Sequence, residues 1–393
     1  MSADASNQTL AESLRRLWVY IEPERRIQFG LLLLLMFMAS IAEVISLGAV
    51  LPFLGILTAP DRVFNHDLAQ PLIELLDISA PQQLLLPLTI LFGSAAVFSG
   101  FLRIVLLWTQ TRLSHAIGAD FSIGIYRRTL YQPYVVHLNR NSSEVIASIS
   151  TKVNNVAFYV LLPVLTILSS CLMLLMILVA LLSIDPLVAL LGFVGFGSIY
   201  AVVMVLTKKR LAVESKRIST EQVKVIKALQ EGLGGIRDVL IDGTQSVYCN
   251  IYRGADIPLR RSVANVHILS GCPRYGIEAL GMVLIAGLAM SFASRSTGIA
   301  SAIPVLGALA LGAQRLLPVL QQTYSSWTTM LGNHWALMDT LVLLEQELPE
   351  DEEQTKAIPI PFSKSIVLKD LGFRYSPDGP SVLDDINISI PKG

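Results

Sequence analysis

Charge and cysteine are both scarce in this sequence, and each scarcity excludes something. Only 15% of the 393 residues are charged, against about a quarter in soluble domains. Hydrophobic residues make up 53% of the chain, and a mean hydropathy of +0.58 places that excess against lipid rather than inside a soluble core. The formal net charge is zero, so no basic footprint for nucleic acid is present. Cys171, Cys249 and Cys272 are odd in number and have no CxxC or Cys/His spacing. A disulfide framework and a zinc site are therefore not indicated, and the three read as ordinary packing residues. His115, His137, His267 and His334 show no metal-ligand spacing either.

What the sequence does have is long apolar runs. Blocks near 27–57, 84–111, 156–183, 187–207, 264–292 and 302–331 each approach or exceed the roughly 20 residues that cross a bilayer. The pattern predicts six spans, the first of which is long enough to tilt or break near Pro52. No small-residue cleavage site follows the first run, which is expected to stay as an anchor.

Orientation follows from lysine and arginine, which collect on the cytoplasmic side. Four precede the first span (Arg15, Arg16, Arg25, Arg26), five lie between spans two and three, and eleven between four and five. The alternate loops hold only Arg62, none, and Arg295. This distribution predicts both termini in the cytoplasm of a multi-pass protein of the cell (inner) membrane. The two basic connections are roughly 45 and 55 residues long and keep helical spacing, so they read as helices continuing into the cytosol. Turn-forming stretches interrupt them at Pro133–Ser143 and Gly232–Gly243. On the outer side, Phe64, Leu68, Leu72, Leu75 and Leu76 share one helical face. That face fits either a short helix on the membrane surface or a loop folded onto the spans.

The character changes after Leu348. An acidic stretch and Pro359 and Pro361 exclude a continuing helix. Short alternating runs at Ser365–Leu368, Gly372–Tyr375 and Ile386–Ile390 then read as a β-meander. The predicted organisation is a cytosolic amphipathic segment at 1–26, a membrane domain at 27–345, a linker at 346–363 and the opening of a β-rich domain at 364–393. The fold class is an all-α membrane protein of six transmembrane helices with long cytosolic extensions, followed by a few β-strands.

Three arginines stand inside apolar sequence: Arg103, Arg274 and Arg315. Arg103 lies nine residues before Arg112, about 14 Å along a helix, near the bilayer middle. A charge there costs about 2.5–3.5 kcal/mol on insertion scales, so it faces an aqueous cavity or a partner. Guanidinium matches phosphate oxygens in bidentate geometry, which makes the three candidates for binding an anionic head group. The other reading pairs them with Glu43 and Glu278 to lock helix packing. Glu278 is four residues from Arg274, within reach on one helix face.

The strings Ile366–Tyr375 and Val382–Gly393, the latter ending Asp-Asp-Ile-Asn-Ile-Ser-Ile-Pro-Lys-Gly, resemble the opening β-subdomain of an ABC exporter nucleotide-binding domain. The resemblance implies that Tyr375 stacks on adenine, that ATP and Mg2+ are the cofactors, and that a phosphate loop GxxxxGK[ST] follows within about ten residues of Gly393. These 393 residues contain no Walker A, Walker B or signature motif, so no catalytic residue is assigned in them and no ATP hydrolysis is expected of them alone.

The membrane part is similar to exporters of the type IV fold, nearest to PglK-type lipid-linked oligosaccharide flippases. The likeness rests on Ile41-Ala42-Glu43, Leu51-Pro52-Phe53, Phe101-Leu102-Arg103, the run Cys272 to Gly281, and Gln314 to Pro318. It implies a homodimer in the bilayer that moves an anionic, polyprenyl-pyrophosphate-linked glycan. It also implies coupling turns that dock on nucleotide-binding domains through Tyr134, Val135, Val136 and Leu138, and through Ile236, Val239, Leu240 and Ile241. An exporter of another lipid, peptide or drug-like molecule, or a non-catalytic membrane scaffold or subunit, is the competing expectation.

Overall fold

The computed structural model describes residues 9–58, 60–65, 70–75, 78, 80–138, 142–184, 186–293, 299–347, 362, 364–375 and 379–392. Helices dominate. In chain order they are α1 (Leu10–Val19), α2 (Pro23–Thr58), α3 (Pro60–Phe64), α4 (Gln70–Leu75), α5 (Leu85–Leu130), α6 (Tyr134–Leu138) and α7 (Ser142–Ala147). They continue with α8 (Val153–Val156), α9 (Leu162–Ile184), α10 (Pro186–Gly234), α11 (Ile236–Ile241), α12 (Gln245–Ala293), α13 (Ile299–Gly332) and α14 (His334–Leu344). A two-stranded antiparallel sheet, β1 (Ser365–Phe373) and β2 (Leu383–Pro391), closes the chain.

Among the described residues, three helical stretches are long and apolar enough to cross a membrane: Pro23–Ser46, Pro81–Leu130 and Val145–Ala180. Of the tilt or break expected near Pro52, the break does not occur, since α2 runs through it unbroken. A proline removes one backbone donor and crowds the preceding turn, a defect that neighbouring helices absorb in membrane bundles.

Helices α2 and α5 pack antiparallel, as two pairs of contacts show. Arg25 meets Asp120 (2.8 Å) and Glu43 meets Arg103 (2.5 Å), so an advance of 18 residues on one helix matches a retreat of 17 on the other. In the segment joining them the described residues include two short helices, α3 and α4. Phe64 and Val63 pack with Ile56, Ile73, Leu84 and Leu88, so this part folds onto the ends of α2 and α5. Of the predicted apolar face, Leu68 and Leu76 lie outside the described residues, as do the side chains of Leu72 and Leu75.

The helical run 142–184 is not uniform. Two π-helical turns, Ser148–Lys152 and Ala157–Leu161, flank α8. A π turn displaces carbonyls from the regular ladder, and the Ala157 carbonyl accepts the hydroxyl of Ser114 on α5. Gly118, one turn on, permits this approach: a Cβ there would stand 2.6 Å from Ala157 Cβ.

The largest apolar core gathers around α14, where Leu337, Leu341 and Leu344 meet Leu17 of α1, Met36 of α2, Phe121 and Ile125 of α5, and Val156 of α8. A polar node sits beside it. Lys152, only 2% exposed, places Nζ 2.5 Å from Asp339 Oδ2, which also accepts Ser219 Oγ at 2.5 Å. Three segments distant in sequence, the first π turn, α10 and α14, thus meet on one carboxylate. Ser215 Oγ accepts the Trp335 amide, and Arg16 of α1 pairs with Glu345 at 2.5 Å. His334 Nε2 lies 3.2 Å from Ser13 Oγ, and burial holds its imidazole below the usual histidine range.

The cysteines are exposed rather than packed as expected. The sheet also departs from the expected meander: the first two short runs fuse into the single strand β1, with register shifts between Leu368 and Leu371 and between Leu371 and Phe373. Asp370 (φ 48°) and Asp385 (φ 51°) take left-handed backbone angles at this irregularity. Asn387 holds it in place, accepting the Asp370 amide and donating to the Asp385 side chain.

Candidate functional site

Two polar cavities flank α13. The first, about 310 Å³, lies between α2, α5, α9 and α13 and is lined by Ser40, Glu43, Arg103, Gln110, Ser170 and Gln322 among apolar neighbours such as Leu106 and Met173. The second, about 650 Å³, lies between α12 and α13 and is lined by Ser270, Arg274, Tyr275, Glu278, Gln321 and Ser325. Pro318 and Gln322 of α13 border both.

In the first cavity Arg103 and Glu43 form an ion pair through Nη2, with Glu43 side chain 4% and Arg103 side chain 46% exposed. Ser99, one turn before Arg103, donates to Glu43 Oε2 at 2.7 Å. The carboxylate is thus held from α5 by both residues, while the guanidinium reaches into open space. Ser40 Oγ donates to the Met36 carbonyl and Gln110 Nε2 to the Leu165 carbonyl. These groups retain acceptor capacity toward the cavity. Ser170 Oγ is buried and has no hydrogen-bond partner among the described residues, a polar atom able to meet an entering group.

In the second cavity Arg274 Nε donates to Glu278 Oε1 at 2.9 Å, and Gln321 donates to the same oxygen at 3.4 Å. Both charged side chains are well exposed, at 60% and 39%. The pair is an (i, i+4) contact on α12, the geometry that helical periodicity anticipates.

The structure therefore brings Arg103 and Arg274 onto separate cavities, each beside a glutamate. Arg315 lies in α13, and its side chain is outside the described residues. Sequence reasoning did not single out Ser40, Ser99, Gln110, Ser170 or Gln322. Their signal is a hydroxyl or amide within an apolar run, which many helices carry for packing alone.

Of the two turns, α6 exposes Tyr134, with Val136 half-buried; the side chains of Val135 and Leu138 lie outside the described residues. Helix α11 exposes Ile236, Leu240 and Ile241 but buries Val239. One face of this short helix closes on the chain at Val239, and the other three apolar residues point outward. Tyr375, just past β1, packs edge-on against Phe373 (4.9 Å between ring centres) and lies 6.4 Å from Tyr134.

Long apolar helices with charge-paired polar cavities between them define an integral membrane protein of the helical-bundle class. The model of the ABC transporter transmembrane region matches residues 26–302, most of the chain, and the chain belongs to that family. No curated protein matches it.

Proposed function

We propose that the chain is the membrane half of an ATP-driven exporter that carries an amphiphile with a polar, anionic head group across the cytoplasmic membrane. A lipid-linked (polyprenyl-pyrophosphate) oligosaccharide is the cargo class implied by the resemblance. In this reading six helices cross the bilayer: α2, α5, α9, and the apolar parts of α10, α12 and α13. The polar parts of α5, α10 and α12, which are 46, 49 and 49 residues long, extend into the cytosol with both termini. Two copies of the chain enclose the pathway. ATP and Mg2+ act at nucleotide-binding domains that the turns at α6 and α11 contact, and Tyr375 stacks on adenine.

The observation that carries the proposal is the first cavity, where a half-exposed guanidinium and an unpartnered buried hydroxyl face open space within an apolar bundle. Arg103 and Arg274 are both paired with a glutamate, so net positive charge is not its support. The guanidinium of Arg103 has five N–H donors and contacts Glu43 through Nη2; phosphate oxygens would add to that contact. The head group crosses through polar space while the lipid tail stays in the apolar phase, and transport requires the head group to bind the two access states unequally.

The test is ATP-dependent flipping in proteoliposomes, with the chain joined to its nucleotide-binding domain. A polyprenyl-pyrophosphate glycan is compared with a neutral-headed analogue. Arg103→Ala is expected to slow the anionic cargo about tenfold, the loss of one charge-assisted contact, and to spare the neutral one. Wild-type rates for both cargoes in the variant would discard the anionic reading.

A further inference from the structure

We propose that the groove between the start of α2 and the middle of α5 is a binding site for the phosphate of an anionic phospholipid. It is separate from both cavities flanking α13. The groove encloses about 610 Å³, and its polar lining comes from Arg25, Gln28, Thr109, Arg112 and His115, with Trp108 on one wall; none of its lining residues is acidic.

Position along the two helices points to a lipid. On α5 the outward-facing apolar residues Phe101, Ile104, Leu107 and Trp108 are followed by the exposed Arg112 and His115, and the next large exposed apolar residue is Ile123. On α2 the exposed apolar residues begin earlier, at Ile27, and continue through Leu31 and Leu34. The Arg25–Asp120 contact fixes the alignment of the two helices. Arg112, eight residues before Asp120, therefore stands about 12 Å further into the apolar layer than that ion pair. A polar stretch of α5 thus lies beside an apolar stretch of α2, making a notch open to the bilayer.

Arg112 is the key group. Its guanidinium lies over the Trp108 ring, 5.8 Å from the centroid, and among the described residues it forms no salt bridge. A cation at the apolar boundary with no carboxylate partner among the described residues reaches for the head-group layer. There a phosphate ester supplies what the fold does not, with acyl chains lying along Leu31 and Leu34. Arg25 is already neutralised by Asp120 and adds hydrogen-bond donors, whereas Arg112 brings the uncompensated charge. Tryptophan beside arginine at this level is the usual composition of a membrane interface. By the charge distribution of the sequence, the leaflet is the cytoplasmic one.

The test is lipid retention by the whole chain, purified from nanodiscs of phosphatidylcholine mixed with phosphatidylglycerol and read by native mass spectrometry. Wild type is expected to retain phosphatidylglycerol over phosphatidylcholine. Arg112→Gln is expected to lower that preference about fivefold, the effect of one basic group at an anionic surface. Arg112→Lys should keep most of the preference, and Arg260→Gln, on an exposed cytosolic face, all of it. Unfolding temperatures of the variants, measured alongside, separate loss of the site from loss of the fold. An equal preference in wild type and Arg112→Gln would overturn the proposal. So would displacement of the lipid by inorganic phosphate, which would make the groove a site for free anions.

Discussion

The polar node at α14 and the polar cavity beside α13 contain the same ingredients, and the contrast between them separates a structural ion pair from a candidate binding group. At the node the cation is the buried partner: Lys152 is 2% exposed, and Asp339 also accepts Ser219. In the cavity the carboxylate is the buried partner, held by Ser99, while Arg103 is half exposed. At the node the cation is closed off and its carboxylate is mostly covered, 18% exposed, whereas the cavity has about 310 Å³ and a Ser170 hydroxyl without a partner among the described residues. Buried polar groups that satisfy one another rigidify a fold, and those left partly unsatisfied around a void await a ligand or water.

The largest expected effect tests the closed half of this contrast. Asp339→Ala strands the Lys152 ammonium in a buried setting and is expected to destabilise the chain by about 3 kcal/mol or more, measured by unfolding in detergent micelles. The double variant Lys152→Met, Asp339→Leu should recover most of that loss, because a well-packed apolar pair replaces a buried ion pair at little cost. If Asp339→Ala unfolds like wild type, the node is not closed.

Next comes the open half. Arg103→Ala removes the ion pair from a buried Glu43 that keeps the Ser99 hydrogen bond, and about 1–2 kcal/mol of stability should be lost. Glu43→Gln leaves Arg103 exposed to the cavity and should cost less, about 1 kcal/mol or under, because solvent screens the half-exposed guanidinium. The reverse order would mean that the arginine, not the glutamate, is the constrained partner. The double variant should cost less than the sum of the two, as expected for groups in contact.

A smaller effect is pH-dependent. Burial depresses the His334 pKa, so the unfolded chain takes up a proton first as pH falls through about 6.5. Stability contributed by the neutral imidazole is complete above that value and declines as pH drops toward the folded pKa. His334→Gln should flatten the unfolding profile between pH 7 and 5; an unchanged slope would assign the dependence to other groups. Smallest of all, Arg274→Ala should leave unfolding unchanged, since both partners of its pair are exposed. A change in cargo-stimulated turnover without a change in unfolding would mark Arg274 as a second contact for the head group.

Different residues were legible to different degrees before the fold was known. Arg274 and Glu278 could be paired from spacing alone, because four residues along a helix is a local distance. Glu43 and Arg103 are 60 residues apart and were only candidates for each other until the antiparallel packing of α2 and α5 set their levels. Lys152, Asp339 and Ser219 gave no signal: lysine, aspartate and serine within amphipathic helices ordinarily face water. The strand pattern was half legible. Alternation marked β1 and β2, but the irregularity at Asp370 split the first strand into two apparent runs.

By itself the sequence determined that this is a helical membrane protein with a short β-rich end, because apolar run length is a one-dimensional quantity that the thickness of a bilayer reads directly. It also showed arginines inside apolar runs, where a charge needs a partner or a cavity. Only the tertiary structure decided which: Arg103 and Arg274 each meet a glutamate beside an open space, while Lys152, which the sequence did not single out, meets a buried carboxylate contact. Those outcomes depend on which helix faces which and in what register, and interactions between residues far apart in the chain are settled only when the helices pack.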